Sequence, residues 1–265
     1  MKRLQCNHLT FKSAVYICNY FSNELGDRLT PLNSPEFLFY NEIMAIGNTF
    51  VNAASDHNAP LVVFIAHTAD YVDMLDFRTK AYLLSNTEFS SLTNSGFDWN
   101  KYLSPWPADR IAKGIGPFDG KADIFLNELE KEVIDELSRC HLKPSAIYIA
   151  GYSLAGLFAL YSLYKTDLFD GAACCSGSLW YPGFTDFVKN NEFCKPPKKL
   201  YMSLGDKESS VKNPVFASVG DKTREVYEYY KFKGIGVEFE INPGNHMSNV
   251  DDRVAKGISR LITDW

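Results

Sequence analysis

An apolar strand that turns abruptly into an apolar helix is the feature that most constrains this 265-residue chain. Residues 146–150 are apolar with one tyrosine among them, and residues 154–164 are apolar nearly all round. The corner between them contains Gly151, Ser153 and Ala155. Small residues at 151 and 155 permit a sharp turn, which lifts the Ser153 hydroxyl clear of the sheet. The segment therefore predicts a strand, an elbow that presents a serine, and a buried helix.

Short apolar runs alternate with helical patterns along the rest of the chain. Helical spacing marks residues 125–137, 214–232 and 250–265, and strands are predicted at 37–40, 61–66, 146–150, 171–175, 200–204 and 237–241. This alternation predicts the α/β class, with a mostly parallel central sheet flanked by helices on both faces. The first 35 residues, with a strand at 16–21, are expected to add antiparallel strands at one edge.

The length favours a single domain over residues 1–265. Residues 67–120 are aromatic and lack a clear period. Long segments of this kind in compact domains are commonly lids or binding loops. We therefore expect 67–120 to be a loop-rich insertion over the site, acting as a lid or substrate loop.

A serine at such an elbow becomes a nucleophile only when a base removes its proton. The chain has five histidines, and His246 alone follows Ser153 in sequence. It lies in a loop before the last helical segment, where Pro243 and Gly244 indicate a turn. His246 is therefore the predicted base.

The base needs a carboxylate to orient its ring and stabilise its charged form. The loop after the 200–204 strand offers Asp206 and Glu208, and the latter is favoured because it stands three residues after a glycine. Both remain open at this point. The oxyanion of the reaction is expected to bind the backbone N–H of Leu154 and one from residues 41–44, represented by Glu42.

Charge and composition exclude several other functions. The net charge is −5 and no block of basic residues occurs, so neither nucleic acid nor an anionic membrane surface is an expected partner. No stretch reaches the ~18 apolar residues of a membrane span, and no signal peptide is apparent, so a cytoplasmic location is predicted. Six cysteines show no CxxC spacing, which predicts no metal site and reduced core residues at Cys174 and Cys175.

Several motifs together resemble the esterase family of α/β-hydrolases that includes the enterobactin-type siderophore esterases and the esterase D-like enzymes. They are residues 149–161 around the elbow, Ser176-Gly-Ser-Leu-Trp-Tyr181, Leu103-Ser-Pro-Trp-Pro107, Gly205-Asp-Lys-Glu208 and Pro243-Gly-Asn-His246. The likeness extends from about residue 35 to the C-terminus. Relatives often have Asp-Gly where this chain has Asn41-Glu42.

The resemblance implies the α/β-hydrolase fold and carboxylic ester hydrolysis by a serine esterase, with a small-molecule ester as partner and neither cofactor nor metal. Trp180 and Trp106 are candidates for the walls of a substrate pocket, with half-buried core positions as the alternative. His67 and Tyr152 are further candidate substrate contacts. The oligomeric state and the natural substrate are not readable from the sequence.

Two other functions are compatible with the same residues. A catalytically silent α/β-hydrolase-like binding protein would keep the fold without the chemistry. An acyltransferase or thioesterase would use the same serine, histidine and acid on a different acceptor or bond.

Overall fold

The chain folds around one large sheet, as seen in a computed structural model that describes residues 39–40, 48–67, 71–113 and 115–263. The strands are β1 (Phe39–Tyr40), β2 (Asn48–Asn52), β3 (Leu61–Ile65), β4 (Ser90–Ser95), β5 (Pro107–Ala108), β6 (Phe118–Asp119), β7 (Ile147–Tyr152), β8 (Gly171–Cys175), β9 (Lys199–Gly205) and β10 (Val237–Asn242). Within the described residues, eight strands form a sheet in the order β1-β2-β4-β3-β7-β8-β9-β10, and β5 pairs with β6.

The strands from β4 to β10 in this order are mutually parallel, while β1 and β2 pair in the antiparallel direction at one edge. The predicted α/β class with a mostly parallel sheet is confirmed. The strand predicted at 16–21 and the rest of the first 35 residues lie outside the described part of the chain. At the opposite edge, β10 has the alternating sequence that predicted an edge position.

Helices cover both faces of the sheet. They are α1 (Tyr71–Ser85), α2 (Trp99–Tyr102), α3 (Ala122–Arg139), α4 (Leu154–Ser162), α5 (Phe184–Asn190), α6 (Pro214–Ala217), α7 (Val219–Phe232) and α8 (Val250–Ile262). Alternate residues of β3 belong to two separate apolar clusters, with Val63 on the side of α3 and α4 and Val62 on the side of α1 and α8. A strand that is apolar at every position is therefore explained by burial on both faces.

The fold requires one correction to the prediction of a loop-rich insertion at 67–120. Residues 71–85 are the helix α1, and 90–95 are the strand β4, which lies inside the central sheet between β2 and β3. The β4 sequence Ser-Ser-Leu-Thr-Asn-Ser has one apolar residue, yet all six residues are buried. Its ladder hydrogen bonds to two neighbours hold it there, and apolar periodicity could not reveal that. Whether the remainder covers the site stays a prediction.

Two predicted helices also differ in detail. The 214–232 segment is divided at Ser218 into α6 and α7. Helix α8 begins after Asn249 as expected, but this residue has a left-handed backbone (φ 51°) and its side chain does not cap the helix. Asparagine tolerates this conformation better than most residues, which suits it to the turn before the helix.

The burial of β4 leads to a stability prediction. Leu92 is fully buried, so Leu92→Ala should lower the free energy of unfolding by about 2–5 kcal/mol, because it leaves a cavity in the sheet core. The matched control is Leu83→Ala on α1, where the side chain is 57% exposed and the expected change is within about 0.5 kcal/mol. Urea denaturation followed by circular dichroism measures both. Equal effects would contradict the placement of β4.

Candidate active site

Ser153 stands at the corner between β7 and α4, as the sequence predicted. Its backbone has φ 57° and ψ −121°, a conformation that few non-glycine residues adopt. A Cβ added at Gly151 would lie 2.4 Å from the carbonyl carbon of Ala155, so residue 151 must lack a side chain for strand and helix to approach this closely. The Ser153 amide donates to the Cys175 carbonyl (3.1 Å), which ties the corner to the next strand.

His246 comes from the loop between β10 and α8. Its Nε2 is 2.9 Å from the Ser153 hydroxyl oxygen, a hydrogen-bonding distance, although the two residues are 93 positions apart. The side chain is 38% exposed, and its Nδ1 is hydrogen-bonded to the buried Glu208 carboxylate. This geometry lets the imidazole accept the serine proton.

Glu208 completes the chain of hydrogen bonds from the loop after β9. Its Oε2 is 2.7 Å from Nδ1 of His246, and its Oε1 accepts the N–H of Gly205 at 2.7 Å. The carboxylate is buried, and burial alone raises its pKa. The hydrogen bond and charge of His246, with the Gly205 N–H and Ser176, outweigh burial and lower the pKa of Glu208 below its ordinary value.

Asp206, the alternative acid, has a different position. It is exposed, and its Oδ1 accepts the N–H of Gly244 at 2.7 Å. Its own N–H donates to the Asn242 carbonyl at 2.8 Å, and the Lys207 N–H donates to Gly244 (3.1 Å). Asp206 therefore joins the acid-bearing loop to the histidine-bearing loop, while Glu208 faces the imidazole.

Arg253 is a site residue that the sequence reasoning missed. It lies on the first turn of α8 and is 2% exposed, and its Nη1 is 3.0 Å from Oε1 of Glu208. The sequence contains a signal for this residue, since position 253 falls on the same helix face as the apolar positions Val250, Gly257 and Ile258. A charged residue on an apolar stripe directly after the histidine loop indicates a buried partner.

The sequence analysis also missed the contacts of two hydroxyl side chains near Ser153. Ser178 is buried, donates its N–H to the Ser153 carbonyl (2.9 Å) and places its Oγ 3.2 Å from the Ser153 Oγ. Tyr152 donates its hydroxyl to the His246 carbonyl at 2.6 Å and accepts from Arg253 at 3.1 Å. The Ser178–Ser153 backbone hydrogen bond closes the loop after β8 onto the elbow.

The remaining predicted site residues lie among other aromatic rings. Trp106 donates its indole N–H to the Pro182 carbonyl at 2.9 Å, and Trp180 packs edge-on against Phe216 at 4.9 Å between ring centroids. His67 is exposed, with its ring 5.1 Å from that of Trp99. The substrate-binding roles of these residues and of Tyr152 stay predictions.

Of the two predicted oxyanion donors, the Leu154 N–H lies within the described residues. Leu154 is the first residue of α4, and the first N–H groups of a helix have no partner within the helix. Glu42 and the rest of 41–44 lie outside the described residues.

In the described part of the chain, no group of three or more His, Cys, Asp or Glu side chains is arranged to hold a metal ion. No helix there is both long and apolar enough to span a membrane.

Sequence similarity to known proteins is limited. No family model matches the chain. The uncharacterized protein YbbA of Bacillus subtilis (strain 168) is 24% identical over 135 residues, which make up 49% of this chain and 54% of YbbA. The match thus spans about half the length of that relative.

Solved structures share the architecture over most of the chain. The siderophore hydrolase EstA from Aspergillus nidulans has a TM-score of 0.64 at 17% identity, covering 88% of this chain and 97% of EstA. An IroE-like serine hydrolase from Shewanella oneidensis has a TM-score of 0.67 at 18% identity, covering 81% and 75%. The fold is that of the α/β-hydrolases, and the resemblance to siderophore esterases is confirmed at the level of fold.

The lowered pKa of Glu208 predicts a loss of stability in acid. A carboxyl whose pKa is lower in the folded chain stabilises the fold above its unfolded pKa, near 4.5, and that contribution is lost as the pH falls through the folded value. The free-energy difference between wild type and Glu208→Gln should therefore shrink as the pH falls below about 4.5. Urea denaturation at a series of pH values measures it.

The same substitution at Glu228, an exposed position on α7, is the matched control and should follow the wild-type profile. A Glu208→Gln difference that stayed constant down to pH 3 would contradict a stabilising carboxylate at Glu208.

Proposed function

We propose that the protein is a serine hydrolase that cleaves carboxylic esters through an acyl-enzyme. The observation that carries this proposal is the continuous chain of hydrogen bonds from Ser153 Oγ to His246 Nε2 (2.9 Å) and from His246 Nδ1 to Glu208 Oε2 (2.7 Å). Nucleophile, base and orienting acid stand in this order on three loops, as acyl transfer requires.

Acylation begins with attack of the Ser153 oxygen on the ester carbonyl. The hydroxyl proton passes to Nε2 of His246, while Nδ1–H stays hydrogen-bonded to Glu208, which stabilises the imidazolium. The carbonyl oxygen becomes an oxyanion near the N-terminus of α4, where the Leu154 N–H is the proposed donor. A second donor, such as the Glu42 N–H, remains part of the proposal. The imidazolium then protonates the leaving alkoxide, and the ester C–O bond breaks.

Deacylation uses the same groups in reverse. Water replaces the alcohol, His246 takes a proton from it through Nε2, and the water oxygen attacks the acyl carbonyl. Collapse of the second intermediate breaks the bond to the Ser153 oxygen, which recovers its proton from the imidazolium. The His246 side chain is 38% exposed, which gives water access to the imidazole.

Glu208 is the proposed acid and Asp206 the alternative. Glu208 is supported by its contact with Nδ1 and by its burial, while the Asp206 carboxylate accepts a backbone N–H of the histidine loop. A buried acid is protected from solvent screening and therefore stabilises the imidazolium more strongly.

A small-molecule ester is the proposed substrate class, with no cofactor. Support comes from solved structures of the same fold, a siderophore hydrolase and a serine hydrolase among them. The cytoplasmic location stays a prediction. Acyl transfer to an acceptor other than water, or thioester hydrolysis, would use the same three residues, and product analysis separates these reactions.

Removal of the nucleophile or the base tests the proposal directly. Ser153→Ala and His246→Ala should each lower kcat for p-nitrophenyl acetate by about 10⁴-fold or more, because each removes a member of one catalytic unit. Release of p-nitrophenol measures turnover, and labelling by a fluorophosphonate probe measures the reactivity of Ser153. Ser210→Ala and His57→Ala, at exposed positions, are the matched controls. A wild-type protein that neither turns over nor labels would favour the silent binding protein.

The choice of acid has its own test. Glu208→Gln should lower kcat by about 10³–10⁴-fold because the imidazole loses its charged partner. Asp206→Asn should lower it by less than about tenfold, since an amide oxygen still accepts the Gly244 N–H. Steady-state kinetics on both variants, each checked for folding by circular dichroism, decide between them. The reverse order would assign the acid to Asp206.

A further inference from the structure

Arg253 contacts all the loops that carry the proposed catalytic residues. Its Nη1 lies within 3.1 Å of the Tyr152 hydroxyl, the Ser176 hydroxyl and Oε1 of Glu208. Its Nη2 donates to the carbonyls of Pro243 (3.0 Å) and Asn245 (3.1 Å), which flank the turn just before His246. A planar guanidinium can bridge these groups at once because its donors point in fixed directions.

We propose that Arg253 is a positioning residue for the hydrolase site, which holds the Glu208 carboxylate and the His246 loop in register with the nucleophile. This inference rests on the proposed function, because it assigns a role within that site. The proposed acid has two oxygens with different partners, Arg253 on Oε1 and His246 on Oε2. Because Oε1 of Glu208 is bound by Arg253, Oε2 is the oxygen that faces the imidazole of His246.

The packing around Arg253 shows that the site is built for this contact. A Cβ added at Gly205 would lie 2.4 Å from the Gly244 carbonyl, 2.9 Å from Nη2 of Arg253 and 3.0 Å from Oε1 of Glu208. A side chain at residue 205 would therefore push the acid loop, the histidine loop and the guanidinium apart. The Gly205 N–H instead donates to the same Oε1 that Arg253 contacts.

The link to the nucleophile runs through Tyr152. This residue directly precedes Ser153, and its hydroxyl accepts from Arg253 and donates to the His246 carbonyl. The Ser176 hydroxyl accepts from the same Nη1 at the end of β8. One buried cation thus connects the ends of β7 and β8 with the loops after β9 and β10.

The charge of Arg253 has a chemical consequence for the base. When His246 is neutral, Arg253 and Glu208 form a buried pair of zero net charge. Protonation of His246 then adds a second cation beside one carboxylate, so Arg253 opposes it. Other titratable groups in contact with this cluster are Tyr152, whose hydroxyl accepts from Arg253, Cys175, whose Sγ is 3.5 Å from the Arg253 carbonyl oxygen, and Asp206, which binds the histidine loop at Gly244.

Two variants separate position from charge. Arg253→Met removes both, while Arg253→Lys keeps a positive charge but replaces the planar fork with a single ammonium. Arg260→Met is the matched control, because Arg260 lies on the same helix, its side chain is 46% exposed, and its Nε is 3.5 Å from Glu238 near the end of β10 away from the site.

The imidazole of His246 can be titrated by NMR without turnover, in a Ser153→Ala background. Its resonance is assigned by the loss of one signal in the additional variant His246→Asn. Arg253→Lys should lower the titration midpoint by about half a pH unit or more, because the charge stays while the Glu208 carboxylate is no longer held against the imidazole. Arg253→Met should have a higher midpoint than Arg253→Lys, because the opposing cation is also gone, and Arg260→Met should shift the midpoint by less than about 0.3 of a unit. An unchanged midpoint in Arg253→Lys would overturn the proposal.

Kinetics with the nucleophile present provide the second measurement. Arg253→Lys should lower kcat for p-nitrophenyl acetate by about tenfold or more at an unchanged KM, since the loop carbonyls lose their donors. Arg260→Met should keep the wild-type kcat. Wild-type kcat in Arg253→Lys would also overturn the proposal, and this variant decides the matter if Arg253→Met does not fold. Absence of turnover in the wild type would refute the hydrolase function alone, because the NMR titration needs none.

Discussion

The parallel alignment of β7, β8, β9 and β10 is the constraint on which the site depends. Parallel strands need a crossover of a dozen or more residues between them, usually a helix, so their carboxyl ends meet at one edge of the sheet. Ser153, Glu208 and His246 each follow a strand end, which brings residues up to 93 positions apart within hydrogen-bonding distance. The helices on both faces bury the strands from which these loops emerge.

At that edge, Glu208 and Arg253 form a buried ion pair. Transfer of Glu208 and Arg253 out of water is costly, and the cost is offset only when every oxygen and most N–H groups find partners. Oε1 has Arg253 and the Gly205 N–H, Oε2 has His246, and the guanidinium has the acid, two hydroxyls and two carbonyls. Such a network permits few alternative arrangements, since moving one loop would leave buried charged atoms without hydrogen-bond partners.

The sequence predicted the fold class well because its signals are local. Apolar runs at 61–66, 171–175 and 200–204 match strands, and the Gly151–Ala155 corner is a steric requirement visible in the residue types alone. It failed for β4, because the burial of serine, threonine and asparagine there comes from ladder pairing with β2 and β3. Residues 1–38 and 41–47, including Glu42, carry predictions that the described part of the chain does not reach.

By itself, the sequence determined a mostly parallel α/β sheet, a serine at a strained elbow and one histidine downstream of it. It narrowed the acid to two carboxylates in one loop, because spacing along the chain cannot show which side chain points inward. Only the tertiary structure placed Glu208 beside the imidazole and Asp206 across the two loops. The position of Arg253 on an apolar helix face indicates a buried partner, but only the tertiary structure identifies that partner as Glu208, because the docking of α8 on the sheet depends on long-range packing.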